Sequence, residues 1–589
     1  MWEINRCGCC GRTAVEGTSD ETSHPPIPTP EEEATTPSES LTPVSNSKKV
    51  KVVETTNTVN EKGNVLRIAV KGKLTSVAKF ETRLEASLLS KGSIMTPLQT
   101  HHRVSSWHRV WDNALLEYLN NKVHRKSGEN LSLSDPFPVS KQYLSFQGHS
   151  LAHLTLLDIM MRVQLIASFN KAMESLLPLI DLSNDDPSSL GAVIRKSNGY
   201  LLSQVKMPAL EKAIAASAAT SGADIPASVT LDNFKALHSK DKGEKEPSTC
   251  QNTFVQCFRQ LHPKDPSLFR YIISADRVFQ INFQNESGVD AGGVFREGVS
   301  RIVEDLFSDH FNLLLLCPNG QQAVHSGMDK YVPNPKHSGP LALEMFEFVG
   351  RLMGMSIRAK LCLPFDFPPL IWKKILGETV STLDLGEVDM IAMQQLDSME
   401  KCDEDTVDPV LGEEAFQERF PNLKFTYMGS DQIERELEVG GSNKLVTFTN
   451  RLEYCKAVRT ARLSEFDQQC SAIAKGLGQV VPSRALLLFS APQLEELVCG
   501  SPQIDLALWK SHTESGGVSA VTVQLFWKVM ESLTPKEQSG FIRFAWGRSR
   551  LPTRAEDFSV HMKLTAGGRA ALPVSHTCFF SIEMPDYKT

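Results

Sequence analysis

The sequence predicts an α+β chain built from more than one domain. Three observations carry that reading. Apolar residues recur at helical spacing over long stretches, Val278 to Phe283 alternates apolar and polar residues as a strand does, and polar or charged segments interrupt the pattern twice. A length of 589 residues corresponds to about four domain-sized units. A hydrophobic share of 41% beside a charged share of 22% is the balance of a globular protein with some disorder. The net charge of −7 gives no general attraction to nucleic acid or anionic membranes, which points to protein partners.

Residues 1–98 are rich in Thr, Ser, Pro and Glu, as in the run from Pro25 to Glu33, and are expected to form a disordered tail. Cys7, Cys9 and Cys10 cluster there, but no second Cys/His pair follows to complete a zinc site. Lys48-Lys49-Val50-Lys51 has the form of a nuclear-import patch, although such clusters in tails are usually just solvated. The start of the chain lacks the apolar core of a secretory signal, and no run reaches the ~18 apolar residues of a membrane helix. The nearest, Leu151 to Phe169, carries Asp158 and Arg162. The remaining cysteines share no metal-ligand spacing, so reduced thiols and a cytoplasmic chain, with nuclear entry open, are the expectation.

Helical spacing begins at Trp107, Trp111, Leu115 and Leu119, with Ser105 or Ser106 as cap. A second helix is expected from Leu151 to Leu177, stopped by Pro178, and a third over Ala209 to Ala219 with Pro208 in its first turn. Residues 105–238 thus read as a helical region of unassigned role. The charged string Ser239 to Pro247 lies in a predicted linker over 239–250. The strand Val278–Phe283 runs into a glycine-rich segment ending Arg296-Glu297. Its spacing matches neither phosphate-loop pattern, so a glycine turn feeding a helix is expected. Later, Phe526-Trp527 opens a helix to about Leu533. Thr534-Pro535-Lys536-Glu537 forms a capping box for the next, which carries Phe541, Ile542 and Phe544 to Gly547.

The candidate chemistry sits at Cys578, in the string Leu572 to Phe580. A thiol has a reference pKa near ~8.5, and the few per cent ionised at neutral pH is intrinsically very nucleophilic. Residues two apart on an extended chain project to one side, so His576 shares a face with Cys578 as proton acceptor or as a charge favouring thiolate. An inert, buried cysteine is the competing reading.

The string LPVSHTCFF, followed by Met584-Pro585-Asp586-Tyr587, resembles the active-site segment of HECT-type ubiquitin ligases, LP-x-x-HTCF and then LP-x-Y, most nearly in the large HERC-type members. Further motifs resemble the family in its order. Gly288 to Glu297 is similar to G-x-D-x-G-G-x-x-R-E, and Phe346 to Gly354 to F-x-F-V-G-R-x-x-G. Asp384-Leu385 and Val388-Asp389 are similar to the entry into a small helical subdomain. Glu436 to Asn450 is similar to E-L-x-x-G-G-x-x-x-x-V-T-x-x-N, and Glu495 to Gly500 to the end of the larger lobe.

The resemblance implies a bilobal catalytic module: a large, mostly helical lobe over 251–499, a hinge at 500–503, and a small α/β lobe over 504–589. It implies that Cys578 accepts ubiquitin as a thioester from a ubiquitin-conjugating enzyme (E2) and passes it to a substrate lysine, with no metal or organic cofactor. His576 is a candidate base or hydrogen-bonding group and Thr577 a candidate to orient thiol or oxyanion. Both equally well only satisfy the turn. The conjugating-enzyme contact is implied at roughly 383–454, with Leu396, Phe425 and Tyr427 as candidate exposed anchors or, alternatively, core residues. Two rival readings are a non-catalytic E2-binding scaffold and a hydrolase pairing Cys578 with His512 or His561. The family continues past its LP-x-Y element with a helix and tail, whereas this chain stops at Thr589. The implied consequence is a small lobe that accepts ubiquitin but discharges it slowly.

Overall fold

The computed structural model describes residues 116, 156–182, 186–218, 227–270, 277–285, 293–324, 327–402, 409–501, 503–558, 561–567 and 572–585, with backbone alone at 156–165, 409–411 and 578. The expected tail over 1–98, the helix around Trp107 and Trp111, the glycines 288–292 and Pro502 lie outside these residues.

The upstream region begins with helix α1 (Leu156–Leu176), which passes into a 3-10 turn with Pro178 near its start. Helix α2 (Leu190–Lys196) starts at Ser189, whose hydroxyl accepts from Ala192 N at 3.0 Å. Helix α3 (Ser203–Ala216) starts earlier than expected and holds Pro208 inside it rather than in its first turn. Asn170 ties α1 to the entry of α3: its amide donates to Tyr200 O at 2.8 Å and its oxygen accepts from Leu202 N at 2.7 Å. The region is not all helical. Strand β1 (Ser228–Leu231) pairs in parallel with β2 (Gln280–Phe283), Val229 opposite Ile281, and helix α4 (Asn233–Asp241) follows under an Asp232 cap. Nor is the 239–250 segment loose. The Lys245 carbonyl accepts from Asn312 N at 2.9 Å, Glu246 pairs with Lys336 at 3.2 Å, and Cys250 is buried. A charge run signals solvent exposure, which an anchored surface segment satisfies as well as a free one.

The larger, helical part contains α5 (Thr253–Leu261), α6 (Gly293–Leu306), α7 (Pro340–Ala359), α8 (Pro369–Leu376), α9 (Met390–Glu400), α10 (Arg451–Ser464), α11 (Asp467–Val480) and α12 (Ala491–Cys499). Its core is aromatic. Phe254, Phe258, Phe269 and Phe348 meet edge to face or tilted, with Phe348 at the centre. Helices α7 and α11 cross at backbone distance because glycines face each other. A Cβ added to Gly476 would stand 2.7 Å from the Glu347 carbonyl carbon and 3.1 Å from Arg351 N. At the edge of that crossing Glu347 takes Lys475 at 2.6 Å, Arg351 at 2.8 Å and Gln479 at 2.8 Å. Burial raises its pKa, but the hydrogen bonds from Lys475, Gln479 and Arg351 outweigh burial and hold it at about 2.

Helix α3 docks onto this part. Arg358 of α7 donates to Val480 O at 2.7 Å and to Ile214 O at 3.1 Å, and Asn198 donates to Phe489 O at 3.1 Å. Lys206, fully buried, donates to Gln493 Oε1 at 2.5 Å. Burial, opposed by the charge of Glu378, brings its pKa down to about 7.

Residues between α8 and α10 include α9, the helix Pro409–Arg419 and the hairpin β5 (Thr426–Met428)–β6 (Glu434–Glu436), which together form a small unit. Two further short strands, β3 (Leu314–Leu316) and β4 (Tyr331–Pro333), pair antiparallel ahead of α7. Buried Arg462 bolts the unit down, meeting Asp389 at 2.8 Å, Glu465 at 3.2 Å and Met428 O at 3.1 Å.

The C-terminal part has its own core and a four-stranded sheet ordered β7-β8-β10-β9. Its elements are α13 (Leu506–Ser511), β7 (Thr513–Gly516), α14 (Ala520–Ser532), α15 (Pro535–Trp546), β8 (Met562–Ala566), β9 (Val574–His576) and β10 (Ser581–Met584). Trp509, Phe526, Trp527, Ile542, Trp546, Leu564, Phe580 and Ile582 fill the space between helices and sheet. Thr534 and Glu537 close the expected capping box on α15, and Gly547 ends it at φ 77°, a left-handed cap that suits glycine. Gly500, at φ 68° and ψ −176°, joins the two parts, and Ser501 bridges to Leu551.

Candidate functional site

The candidate site is the turn between β9 and β10. β10 pairs antiparallel with β9, Ser581 opposite His576, and parallel with β8, Ser581 opposite Lys563. Between the strands the chain makes one 3-10 turn, Thr577–Phe579, which carries Cys578, and reverses at Phe580. Phe580 adopts φ 48° and ψ 48°. A bulky residue in that left-handed region costs about 1–3 kcal/mol and persists only where surroundings over-determine it. Here the ring is fully buried and stacks on Trp546, centroids 4.2 Å apart and planes 7° apart. Burying such a ring contributes about 2–3 kcal/mol, enough to offset the strain. Phe579, one residue earlier, is 62% exposed. Strain, a buried anchor after the cysteine and an exposed neighbour beside it hold the turn at the surface.

His576 ends β9 and Thr577 opens the 3-10 turn that carries Cys578, so the extended-chain argument for His576 and Cys578 sharing a face does not carry across the turn; each of the two has a partner the sequence did not indicate. The Nε2 of His576 lies 3.0 Å from Glu583 Oε1 on β10. In the neutral ring that contact puts the proton on Nε2, donated to the carboxylate, and leaves Nδ1 as the acceptor; the tautomer is assigned from this hydrogen bond. The carbonyl of Thr577 accepts from Arg296 Nη2 at 3.0 Å, so a buried guanidinium of α6 reaches the turn from the helical part. The signal for Arg296 was its place in the G-x-x-R-E string, but nothing in the sequence links position 296 to 577. Glu583 carried no signal.

The histidines of the hydrolase reading are occupied elsewhere. His512 stacks on Phe558 with centroids 4.4 Å apart, and His561 Nδ1 lies 3.4 Å from Glu514. Both flank β7 and β8, and β8 is separated from β9 by β10.

The expected surface anchors need correction. Leu396 is 4% exposed and Phe425 1%, so both are core residues of the small unit. Phe425 packs edge to face on Tyr454 and lies under the Lys444 ammonium, 3.6 Å from the ring centroid. Tyr427 is half-buried, opposite Arg435 in the hairpin, and burial pushes its phenol up. Their apolar character serves the packing of the unit. Among the described residues, the large apolar side chains it turns outward are Leu383, Met428, Ile433, Val439 and Leu445.

Among the described residues no three His, Cys, Asp or Glu side chains stand together as a metal site, and no helix is long and apolar enough to cross a membrane. The eight cysteines described with side chains, from Cys250 to Cys499, form no disulfide.

The protein is thus a mixed α+β chain whose candidate turn is touched by an arginine from the helical part. Residues 300–589 match the HECT-domain (ubiquitin-transferase) family. The chain carries a HECT domain and is similar to HERC-type proteins. It is 30% identical over 484 residues to the mouse E3 ubiquitin-protein ligase HERC2, covering 79% of this chain and 10% of that protein. It is 27% identical over 471 residues to the human probable E3 ubiquitin-protein ligase HECTD4, covering 73% of this chain and 12% of the relative. The yeast (Saccharomyces cerevisiae) E3 ubiquitin-protein ligase TOM1 is 28% identical over 372 residues, 61% of this chain and 11% of TOM1. The chain thus spans about a tenth of the length of the curated relatives it matches.

Proposed function

We propose that this protein is a HECT-type E3 ubiquitin-protein ligase that carries ubiquitin as a thioester on Cys578. The observation that supports the reading most directly is the turn: a cysteine in a surface 3-10 turn, anchored by buried Phe580, with His576, Glu583 and Arg296 around it. In the first step the Cys578 thiolate attacks the carbonyl carbon of the ubiquitin–E2 thioester. A tetrahedral oxyanion forms and collapses, the E2 sulfur leaves as thiolate, and ubiquitin is bonded to Cys578. One thioester replaces another, so the step is close to isoenergetic and asks mainly for an accessible, partly ionised thiol. In the second step a substrate lysine amine attacks the new thioester, and Cys578 leaves as the amide forms. The lysine must lose a proton for this step. His576, with Nδ1 as acceptor, is suited to receive it, and Glu583 to stabilise the imidazolium that results.

In this reading the helical part is the larger lobe, the C-terminal part the smaller, and Gly500 the hinge. The conjugating enzyme docks on the small unit through Leu383, Met428 and their exposed neighbours, and the partners are E2, ubiquitin and protein substrates in the cytoplasm. The test is incubation with activating enzyme, E2, ATP and ubiquitin. A thiol-sensitive ubiquitin adduct is expected on the wild-type chain and none on Cys578→Ala, with melting temperature nearly unchanged. An adduct that persists in Cys578→Ala overturns the assignment.

A further inference from the structure

We propose that Arg296 is a positioning residue for the turn that carries Cys578, delivered by the helical part, so that the turn is held and its thiol acidified only while the two parts are docked. The inference rests on the reading of Cys578 as the ubiquitin acceptor. It starts from a stripe on α6. Arg296, Ser300 and Glu304 follow one another at intervals of four residues, which places them on one face of the helix. Each engages the C-terminal part. Arg296 Nη2 donates to Thr577 O at 3.0 Å, Ser300 Oγ donates to Gly547 O at 2.8 Å, and Arg543 Nη2 donates to Glu304 Oε2 at 2.7 Å. The stripe therefore reads the C-terminal end of α15 and the cysteine turn together.

The three contacts are not equal in consequence. Ser300 and Glu304 fasten α15, while Arg296 touches the peptide group that joins Thr577 to Cys578. Arg296 is 4% exposed, so its charge is poorly screened and its hydrogen bond to the carbonyl is of the stronger, charge-assisted kind. A nearby cation favours the thiolate, and this one is bonded to the peptide group that joins Cys578 to Thr577. The elements that pack around the turn carry further charged residues: Glu297 and Glu304 on α6, Arg543 on α15, Lys563 on β8, His576 on β9 and Glu583 on β10. His576 and Glu583 meet each other at 3.0 Å, and Arg543 is engaged with Glu304, which leaves Arg296 as the cation bonded to the turn itself. Ionisation sends the thiol proton to solvent, and no other bond changes. Separation of the two parts withdraws the guanidinium and returns the thiol toward its ordinary acidity, so docking prepares the acceptor.

The experiment measures the pH profile of iodoacetamide alkylation at Cys578 in the full chain, read by mass spectrometry of the peptide. Arg296→Gln is expected to raise the midpoint by about one pH unit. At pH 7 the thiolate fraction then falls about tenfold while each thiolate gains reactivity with its higher pKa, so the rate falls about 3-fold. Arg296→Lys is expected to restore part of the shift, and ubiquitin loading to slow in step while affinity for the conjugating enzyme is unchanged. Ser300→Ala combined with Glu304→Gln keeps the cation but loosens docking, and is expected to shift the midpoint in the same direction by less. An unchanged midpoint in Arg296→Gln overturns the proposal. If that variant does not fold, an unchanged midpoint in the double variant overturns it equally. Persistence of the ubiquitin adduct in Cys578→Ala would instead refute the acceptor assignment, while the alkylation profile would still judge Arg296.

Discussion

Replacing Gly476 by alanine sets two effects of opposite sign against each other. Within a helix, Gly→Ala gains about 0.5–1 kcal/mol, because glycine loses the most backbone freedom on folding. At this position the added Cβ would run into the backbone of α7, at 2.7 Å from the Glu347 carbonyl carbon and 3.1 Å from Arg351 N, where no side-chain rotation relieves the overlap. One helix must move away from the other. Overpacking of this kind costs about 1–3 kcal/mol or more. The displacement also strains the hydrogen bonds of Gln479 with Glu347 and Arg351, which span the same crossing. The steric term wins, and a net loss on the order of 2 kcal/mol is expected, read as a lower urea midpoint for the helical part. Gly540 supplies the control. It sits in α15 with nothing within 4 Å of a built Cβ, so Gly540→Ala should keep the propensity gain of about 0.5–1 kcal/mol. If Gly476→Ala stabilises the protein as Gly540→Ala does, the two helices do not approach at backbone distance and the packing argument is wrong.

Lys206→Met should stabilise the protein more at pH 6 than at pH 10. The folded pKa of about 7 lies below the ordinary lysine value of 10.5, so between them the unfolded chain binds the extra proton and wild-type stability rises with pH. Methionine removes that dependence, and equal slopes of melting temperature against pH in the two proteins would refute it. Glu347 has the opposite sign: its depressed value near 2 contributes stability above about pH 4.5 that is lost as pH falls toward 2, and Glu347→Gln should flatten the acid limb of the stability curve. Leu383→Asp with Met428→Asp should weaken E2 binding at unchanged stability, whereas Phe425→Ala should lose about 3–5 kcal/mol as a core truncation; calorimetric binding and melting separate the two cases. Gly500→Ala places a side chain at φ 68° and ψ −176°, 2.9 Å from Leu551 O, and is expected to slow adduct formation without altering affinity for the conjugating enzyme. Equal loading rates would remove Gly500 from the path.

Local signals were read correctly where the chemistry was local. The capping box at Thr534 and Glu537 and the glycine stop at Gly547 each follow from neighbours within a turn or two, and both are present. The string ending in HTCF drew attention to the candidate turn through its resemblance to the family's segment. Where the outcome depended on which faces meet, the sequence was silent or misleading. Leu396 and Phe425 are apolar whether they cover a partner or fill a core, and only the packing of α9 and β5 buries them. The charge run over 239–250 looks like a linker until Glu246 is found against Lys336. Pairing of β1 with β2 joins segments on both sides of that run, a contact no local pattern announces.

The sequence by itself determined the α+β class, the helix ends set by caps and prolines, and the position of Cys578 with His576 two residues before it. These properties depend on side-chain periodicity and backbone sterics within a few residues. The tertiary structure alone decided that Phe580 would be strained and buried against Trp546, that Glu583 would orient His576, and that Arg296 would reach Thr577 across 281 positions of chain. Each is a contact between elements whose meeting is set by the burial of whole faces, and that energy belongs to no single residue's neighbourhood.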